Sequence, residues 1–191
     1  MPTYLIFDTE TTGLPKSWKA PMKDIGNWPS IVQLAWQLVD GEMNTLAAEC
    51  FIIQTKVPIS AAAAKMHGIT QQRSLREGKP LLEVLDQFTA AIVQADVLVA
   101  HNLDFDHKVL GSEYLRAGRK PPFGKKKMIC TMKSSVDFCR LPGPYGYKWP
   151  TLEELHKKLL GEGFSGAHHA GTDVEMTRRC LGGLVGAGVV G

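Results

Sequence analysis

A mixed α/β sheet covered by helices is the fold class this sequence predicts, and three observations lead to it. Apolar runs over residues 3–8, 30–39 and 45–53 come first, and the last two are joined by the turn pair Asp40-Gly41, which reads as a three-stranded antiparallel meander. After residue 60, helical and strand patterns alternate, an order that leads to strands flanked by helices rather than to an all-β sandwich or a bundle. A chain of 191 residues, 44% hydrophobic and 21% charged, has the size and composition of one domain, 1–191, with a real core.

Each element has its own signal. The first strand, residues 3–8, is bounded by Pro2 and Gly13 and runs into Asp8-Thr9-Glu10. Residues 14–29 hold three prolines, Trp18, Trp28 and mixed charge without any period, which makes a long surface loop; loops of that length are often functional. Ser60 caps a short helix over 61–67 that Gly68 ends, and Pro80 sits in the first turn of a helix over 81–95 with Leu82, Leu85, Phe88, Ala91 and Ile92 at helical spacing. Val97-Leu98-Val99-Ala100 is a short buried strand delivering His101-Asn102-Leu103-Asp104-Phe105-Asp106, and Val109, Leu110, Tyr114 and Leu115 mark the helix after it. Residues 121–124 form a turn, 128–131 the last strand, and 141–150, rich in Pro and Gly, an irregular stretch. Thr151-Leu152-Glu153-Glu154 is a capping box opening a helix to about residue 160. A final helix covers about 170–184, with about the last seven residues as a frayed tail.

Composition narrows the functional classes. No apolar run approaches the ~20 residues of a membrane span. The start lacks a basic segment followed by an apolar one, so the expectation is a cytoplasmic protein without membrane contact. Cys50, Cys130, Cys139 and Cys180 lie far apart with no Cys-x-x-Cys pair, which argues against a zinc knuckle or redox motif and for reduced, mostly buried thiols. Residues 114–152 hold nine basic residues against the single acid Asp137, so this segment carries +8 where the whole chain carries +3. Such a concentration points to a polyanion partner, or to a solvated basic loop.

The acids give the chemistry. A strand points residues i and i+2 to one face, so Asp8 and Glu10 project side by side if the backbone stays extended through Glu10. Two carboxylates there repel unless a cation lies between them, and hard divalent ions such as Mg²⁺ take oxygen ligands; the pair reads as half of a metal site or as a solvated acidic turn. Sites in open α/β sheets form beyond the carboxyl ends of strands, and Asp106 follows a second strand, so the three acids can converge.

Taken together, Asp8-Thr9-Glu10-Thr11-Thr12-Gly13-Leu14, His101-Asn102-x-x-Phe105-Asp106 and His168-x-x-x-x-Asp173 resemble the three motifs of the DEDDh 3′→5′ exonucleases. That family includes the proofreading subunit of the bacterial replicative polymerase, ribonuclease T, oligoribonuclease and the TREX enzymes. The resemblance implies an RNase H-like fold and two divalent cations, Mg²⁺ with Mn²⁺ able to substitute. The implied reaction is hydrolysis at the 3′ ends of single-stranded DNA or RNA, releasing nucleoside 5′-monophosphates. It also implies that Asp8 bridges both ions, that Glu10 and Asp173 hold the water-activating one, that Asp106 acts directly or through water, and that His168 is the general base. Residues five apart on a helix differ by about 140° at 3.6 residues per turn, so His168 is expected on the loop before the helix that carries Asp173. The family spacing selects it over His169, and His101 reads as a satisfied residue at a strand end.

For the substrate, the resemblance places Thr11 or Thr12, Gly13 and Leu14 against the terminal nucleotide, Gly13 allowing close backbone approach and Leu14 wedging on the base. The segment His67-Gly68-Ile69-Thr70 resembles another element of that pocket, or is a helix C-cap with a buried isoleucine. Asn102 holds loop geometry or contacts a phosphate. Lys125, Lys126 and Lys127 are the candidate phosphate-facing run. Tyr145, Tyr147 and Trp149, interleaved with Lys148, are a single-strand stacking platform or a loop packed on the core. Homodimers occur among the relatives, and no segment after residue 184 resembles a polymerase-binding tail. Three rival readings differ in their demands. A haloacid dehalogenase-type phosphatase expects Asp-x-Asp after the first strand, a catalytically silent binding module is expected to have lost a metal ligand, and a structural domain leaves the three motifs unexplained.

Overall fold

The first strand, β1 (Tyr4–Thr11), is the middle of a five-stranded sheet of order β3-β2-β1-β4-β5 in a computed structural model describing residues 1–191. On one side it pairs antiparallel with β2 (Ile31–Val39), which pairs antiparallel with β3 (Thr45–Ile52). On the other side it pairs parallel with β4 (Val97–Ala100), which pairs parallel with β5 (Lys127–Cys130). The expected meander and the expected mixed sheet are both present. β1 runs extended to Thr11, beyond the expected end at residue 8, so Asp8 and Glu10 both sit in strand backbone, opposite Ala35 and Gln33 of β2.

Strand alternation divides the core into two layers. Leu5 and Phe7 of β1 join Leu34, Trp36 and Leu98 beneath α3 (Leu81–Gln94) and α4 (Leu103–Arg116), where Leu85, Phe88, Leu110 and Tyr114 are buried. Tyr4 and Ile6 join Ala35, Val97 and Val99 on the opposite face, beneath Val174 and Leu181 of α8 (Ala170–Gly186). Each fully buried Leu, Ile or Phe contributes roughly 1.5–3 kcal/mol, so β1, flanked by both layers, is held more firmly than any loop around it. Odd positions of β1 therefore face α3 and α4, and even positions face α8.

Two helices begin as their caps predict. In α1 (Ala61–His67) the Ser60 side chain accepts from Ala63, and Gly68 ends the helix in the left-handed region at φ 72°. In α7 (Leu152–Leu160) Glu154 N–H donates to Thr151 Oγ1 at 3.2 Å and Thr151 N–H to Glu154 Oε2 at 2.9 Å. Other elements differ from expectation. α2 (Gln71–Glu77) carries no apolar stripe; it is started by Thr70 and anchored through Ser74. The short turns α5 (Thr131–Ser134) and α6 (Val136–Cys139) follow β5. Within the stretch expected to be irregular, β6 (Pro142–Gly143) and β7 (Gly146–Tyr147) form a small antiparallel ribbon. The last residues are not frayed: Val189 and Val190 lie against the core, Val189 N–H donates to Leu184 O, and Gly191 O accepts from Lys127 Nζ at 2.6 Å. All four thiols are free, but only Cys139 and Cys180 are buried and Cys50 is exposed, short of the expected burial. No helix is long and apolar enough to cross a membrane.

Candidate active site

The two faces of β1 recruit different helices. Asp8 and Glu10 occupy even positions and face α8, whose first turn carries Asp173. The start of α8 has no side-chain cap from its own residue; instead Gln33 of β2 accepts from Ala170 N–H at 3.0 Å and fixes the helix to the sheet. His168 lies on the loop before α8, as expected, in the left-handed region at φ 66°. Its backbone N–H donates to Asp173 Oδ2 at 2.9 Å, so the same carboxylate that opens the helix also ties down this loop. Donor atoms of Glu10, His168 and Asp173 all lie within 4.8 Å of one another.

Asp106 arrives from the other layer. Asn102, in the left-handed region at φ 68°, turns the chain from β4 into α4. Thr9, at an odd position between the two acids of β1, meets Asp106 twice: its N–H donates to Oδ1 at 3.1 Å and its hydroxyl to the same oxygen at 2.7 Å. The sequence reading missed Thr9 and Gln33. The signal for Thr9 was the alternation that places it on the α4 side, and Gln33 was a polar residue inside an otherwise apolar strand.

The four carboxyls are held far from their ordinary ionisation. Burial, followed by repulsion from Asp106, Asp173 and Glu10, raises Asp8 well above the carboxylate range. Burial and then Asp173 and Asp106 push Glu10 to about 8. Burial pushes Asp106 to about 7 against the opposing hydrogen bonds from Thr9, and burial raises Asp173 against the His168 N–H. No lysine or arginine forms an ion pair with any of the four. An all-oxygen donor set with unbalanced negative charge fits hard divalent cations.

These acids line a cavity of about 610 Å³ together with His168 and Trp149. His101 also lines it, but its ring is satisfied, with Nε2 donating to Pro150 O at 3.1 Å and Nδ1 accepting from the Thr131 hydroxyl at 2.9 Å; burial lowers it to about 4. His169 has its ring against the Gln33 amide at 3.2 Å. A second cavity of about 440 Å³ adjoins the first and is lined by Thr11, Gly13, Leu14, Met66 and His67. Leu14 is 77% exposed there, free to meet a ligand. His67 Nε2 donates to Thr11 O at 3.2 Å and Nδ1 accepts from Ile69 N–H at 3.1 Å, so the segment is at once a helix C-cap with a buried Ile69 and a cavity wall. Thr12 is drawn away from the cavity, its hydroxyl accepting from Ser30 N–H at 3.1 Å. Asn102 and Trp149 line the first cavity; Tyr145 and Tyr147 stand exposed on the ribbon and line neither.

One candidate group sits in the wrong place. Lys127 begins β5 level with Val97 of β4 and Tyr4 of β1, so the run Lys125, Lys126 and Lys127 lies at the end of the parallel strands opposite the acids. Asp8 is four residues further along β1, roughly 13 Å at ~3.3 Å per residue. Lys126 Nζ donates to the Val93 and Ala95 carbonyls and Lys127 Nζ to Gly191 O. Sequence order gave the charge but not the end of the strand.

Comparison with known proteins agrees with this geometry. An exonuclease family model, RNase T, matches residues 5–181. The chain is 31% identical over 179 residues to the DNA polymerase III PolC-type of Streptococcus sanguinis, and 32% identical over 179 residues to that of Streptococcus suis. Each match covers 94% of this chain and 11% of the relative, so the chain spans only a small part of those proteins. Among solved structures, the zinc-bound complex of Escherichia coli exonuclease I with single-stranded DNA superposes with a TM-score of 0.78 at 21% identity, over 98% of this chain and 41% of that one. Exonuclease X in complex with 5′-overhanging duplex DNA superposes with a TM-score of 0.66 at 24% identity, over 97% of this chain and 93% of that one. The mixed sheet and its flanking helices are thus the RNase H-like fold of these exonucleases.

Proposed function

This chain belongs to the RNase T exonuclease family, and from that premise we propose that it is a metal-dependent 3′→5′ exonuclease acting on single-stranded DNA or RNA ends to release nucleoside 5′-monophosphates. The observation that carries the reading is the meeting of four carboxyls, Asp106 and Asp173 buried and Asp8 and Glu10 half-buried, brought by β1, α4 and α8, with no basic partner among them and a histidine beside them.

Asp8, Glu10, Asp106 and Asp173 would hold two divalent cations, Mg²⁺ with Mn²⁺ as a substitute, which when bound activate water and neutralise charge on the leaving oxygen. His168 takes the proton of the attacking water, a task for which an imidazole is suited near neutral pH. Its backbone bond to Asp173 keeps the base beside Glu10. Thr9 fixes the Asp106 carboxylate with two hydrogen bonds, and outer partners of this kind orient metal ligands. The cavity of Leu14 and His67 receives the terminal nucleoside, with Leu14 against the base and the Thr11–Gly13 backbone within reach of the sugar.

A 5′-labelled single-stranded oligonucleotide incubated with Mg²⁺ tests this directly. The expected product is a ladder that shortens from the 3′ end, with nucleoside 5′-monophosphates released. His168→Ala should lower kcat by about 10²–10⁴-fold while leaving oligonucleotide affinity in place. Loss of comparable size from His169→Ala with His168→Ala nearly silent would remove His168 from its role. Intact oligonucleotide under both Mg²⁺ and Mn²⁺ would sink the enzyme reading.

A further inference from the structure

A third cavity, of about 180 Å³, shares Phe105 with the Leu14 cavity and is walled by the long loop after β1, the start of α4, Lys133 and Trp149. Trp18, Trp28, Lys108, Lys133 and Trp149 line it. Trp28 is buried, whereas Trp18 is 55% and Trp149 62% exposed. Lys108 Nζ lies 5.2 Å from the centre of the Trp28 ring and Lys133 Nζ 5.9 Å from that of Trp149. Trp18 rests on Phe105 with ring centroids 5.5 Å apart. Asp104, the acid of this wall, is already paired with Lys133. Lys108 forms no ion pair, its ammonium meeting the Trp18 carbonyl at 3.3 Å, so it brings uncompensated positive charge.

The cleft thus presents two exposed indoles, Trp18 and Trp149, with the Lys108 ammonium beside the Trp18 carbonyl and that of Lys133 beside the Trp149 ring. They match a strand whose bases offer flat faces and whose phosphates offer negative charge, since stacking on aromatics and contact with cations are how unpaired nucleic acid is held. Continuity supplies the second argument. Asn102, Phe105 and Trp149 line both this cleft and the carboxylate cavity, and Thr9, Glu10 and Phe105 line both the carboxylate cavity and the Leu14 cavity, so the three adjoin with the carboxylates in the middle. We propose that the cleft seats the strand from the second nucleotide upstream of the scissile bond onward, unpaired, with bases against Trp18 and Trp149 and a phosphate at Lys108. The proposal rests on the exonuclease reading and adds to it the source of single-strand preference: paired bases cannot offer their faces to the two indoles.

The test compares kcat/KM on a decathymidylate with that on a dithymidylate, which is too short to reach the cleft. Trp18→Ala should lower the ratio of the two about tenfold or more, the size expected from losing one stacked base. Trp18→Phe should restore most of it. A ratio unchanged in Trp18→Ala, or a fall of both rates together, would overturn the proposal, the second because it marks a residue that merely props up the catalytic cavity. Fluorescence anisotropy of a 5′-fluorescein decathymidylate in EDTA separates this from the parent reading. Wild-type protein that binds there but cleaves nothing with metal would sink the exonuclease and keep the cleft, provided Trp18→Ala weakens that binding. Equal binding by wild type and Trp18→Ala would sink the cleft and leave the exonuclease standing.

Discussion

Burial is the first cause of the raised carboxyls of Asp8, Glu10 and Asp106, and the neighbouring acids add to it. Glu10 moves from an ordinary 4.5 to about 8, so across that window the folded chain holds a proton that the unfolded chain has released. Stability from this group is therefore fully present below about pH 4.5 and is lost as pH rises towards 8. A cation reverses the trend by taking the place of the protons, and its affinity grows as they leave. The Tm of metal-free protein should fall between about pH 5 and 8, and the Tm gain from Mg²⁺ should grow over the same range. A gain independent of pH would mean that protons and Mg²⁺ do not compete for the cluster. At this scale Asp8, Glu10 and Asp106 are legible from their places at strand ends, whereas Asp173 and His168 rest on the motif resemblance. Thr9 is not legible, because a threonine between two acids looks like a spacer until the pleat shows that it faces Asp106.

Helices with apolar stripes and caps, such as α3 and α7, could be read directly, whereas α2 could not. Its hold on the chain after β3 is made of hydrogen bonds, centred on a buried hydroxyl: Ser74 donates to Ile53 O at 2.7 Å and accepts from Thr55 N–H at 3.1 Å, beside the Gln71 amide, which donates to Thr55 O at 2.6 Å. The helix then ends at Gly78, where a Cβ would come within 2.4 Å of Gln54 N and Ser74 O, a closeness only glycine allows. Hydrogen bonding and close approach leave no period in a sequence. Ser74→Ala should cost about 1–3 kcal/mol, because two buried backbone groups lose their partner. Chemical denaturation should show a lower midpoint with an unchanged slope. A cost under about 0.5 kcal/mol would mean that α2 is held by something other than this hydroxyl.

Across the molecule, the order β3-β2-β1-β4-β5 sends the carboxyl ends of β1 and β4 to one edge and the start of β5 to the other. The meander and the alternation that follows were visible in the chain. Which pole a charged segment occupies was not, because that depends on strand direction, and so Lys125, Lys126 and Lys127 were misplaced. Replacing all three with alanine should leave the salt dependence of oligonucleotide binding unchanged. Lys108→Ala should flatten the slope of log K against log salt by about 0.7, the value of one phosphate contact on a single strand. The reverse result would move the strand to the other pole. β1, finally, sets its residues to alternate duties, with Asp8 and Glu10 facing α8 and Thr9 reaching across to α4. Inserting or deleting one residue upstream of Asp8 would exchange those duties at a stroke. This stretch can drift in composition but not in length, and it is a fixed ruler from which gaps in more distant chains can be counted.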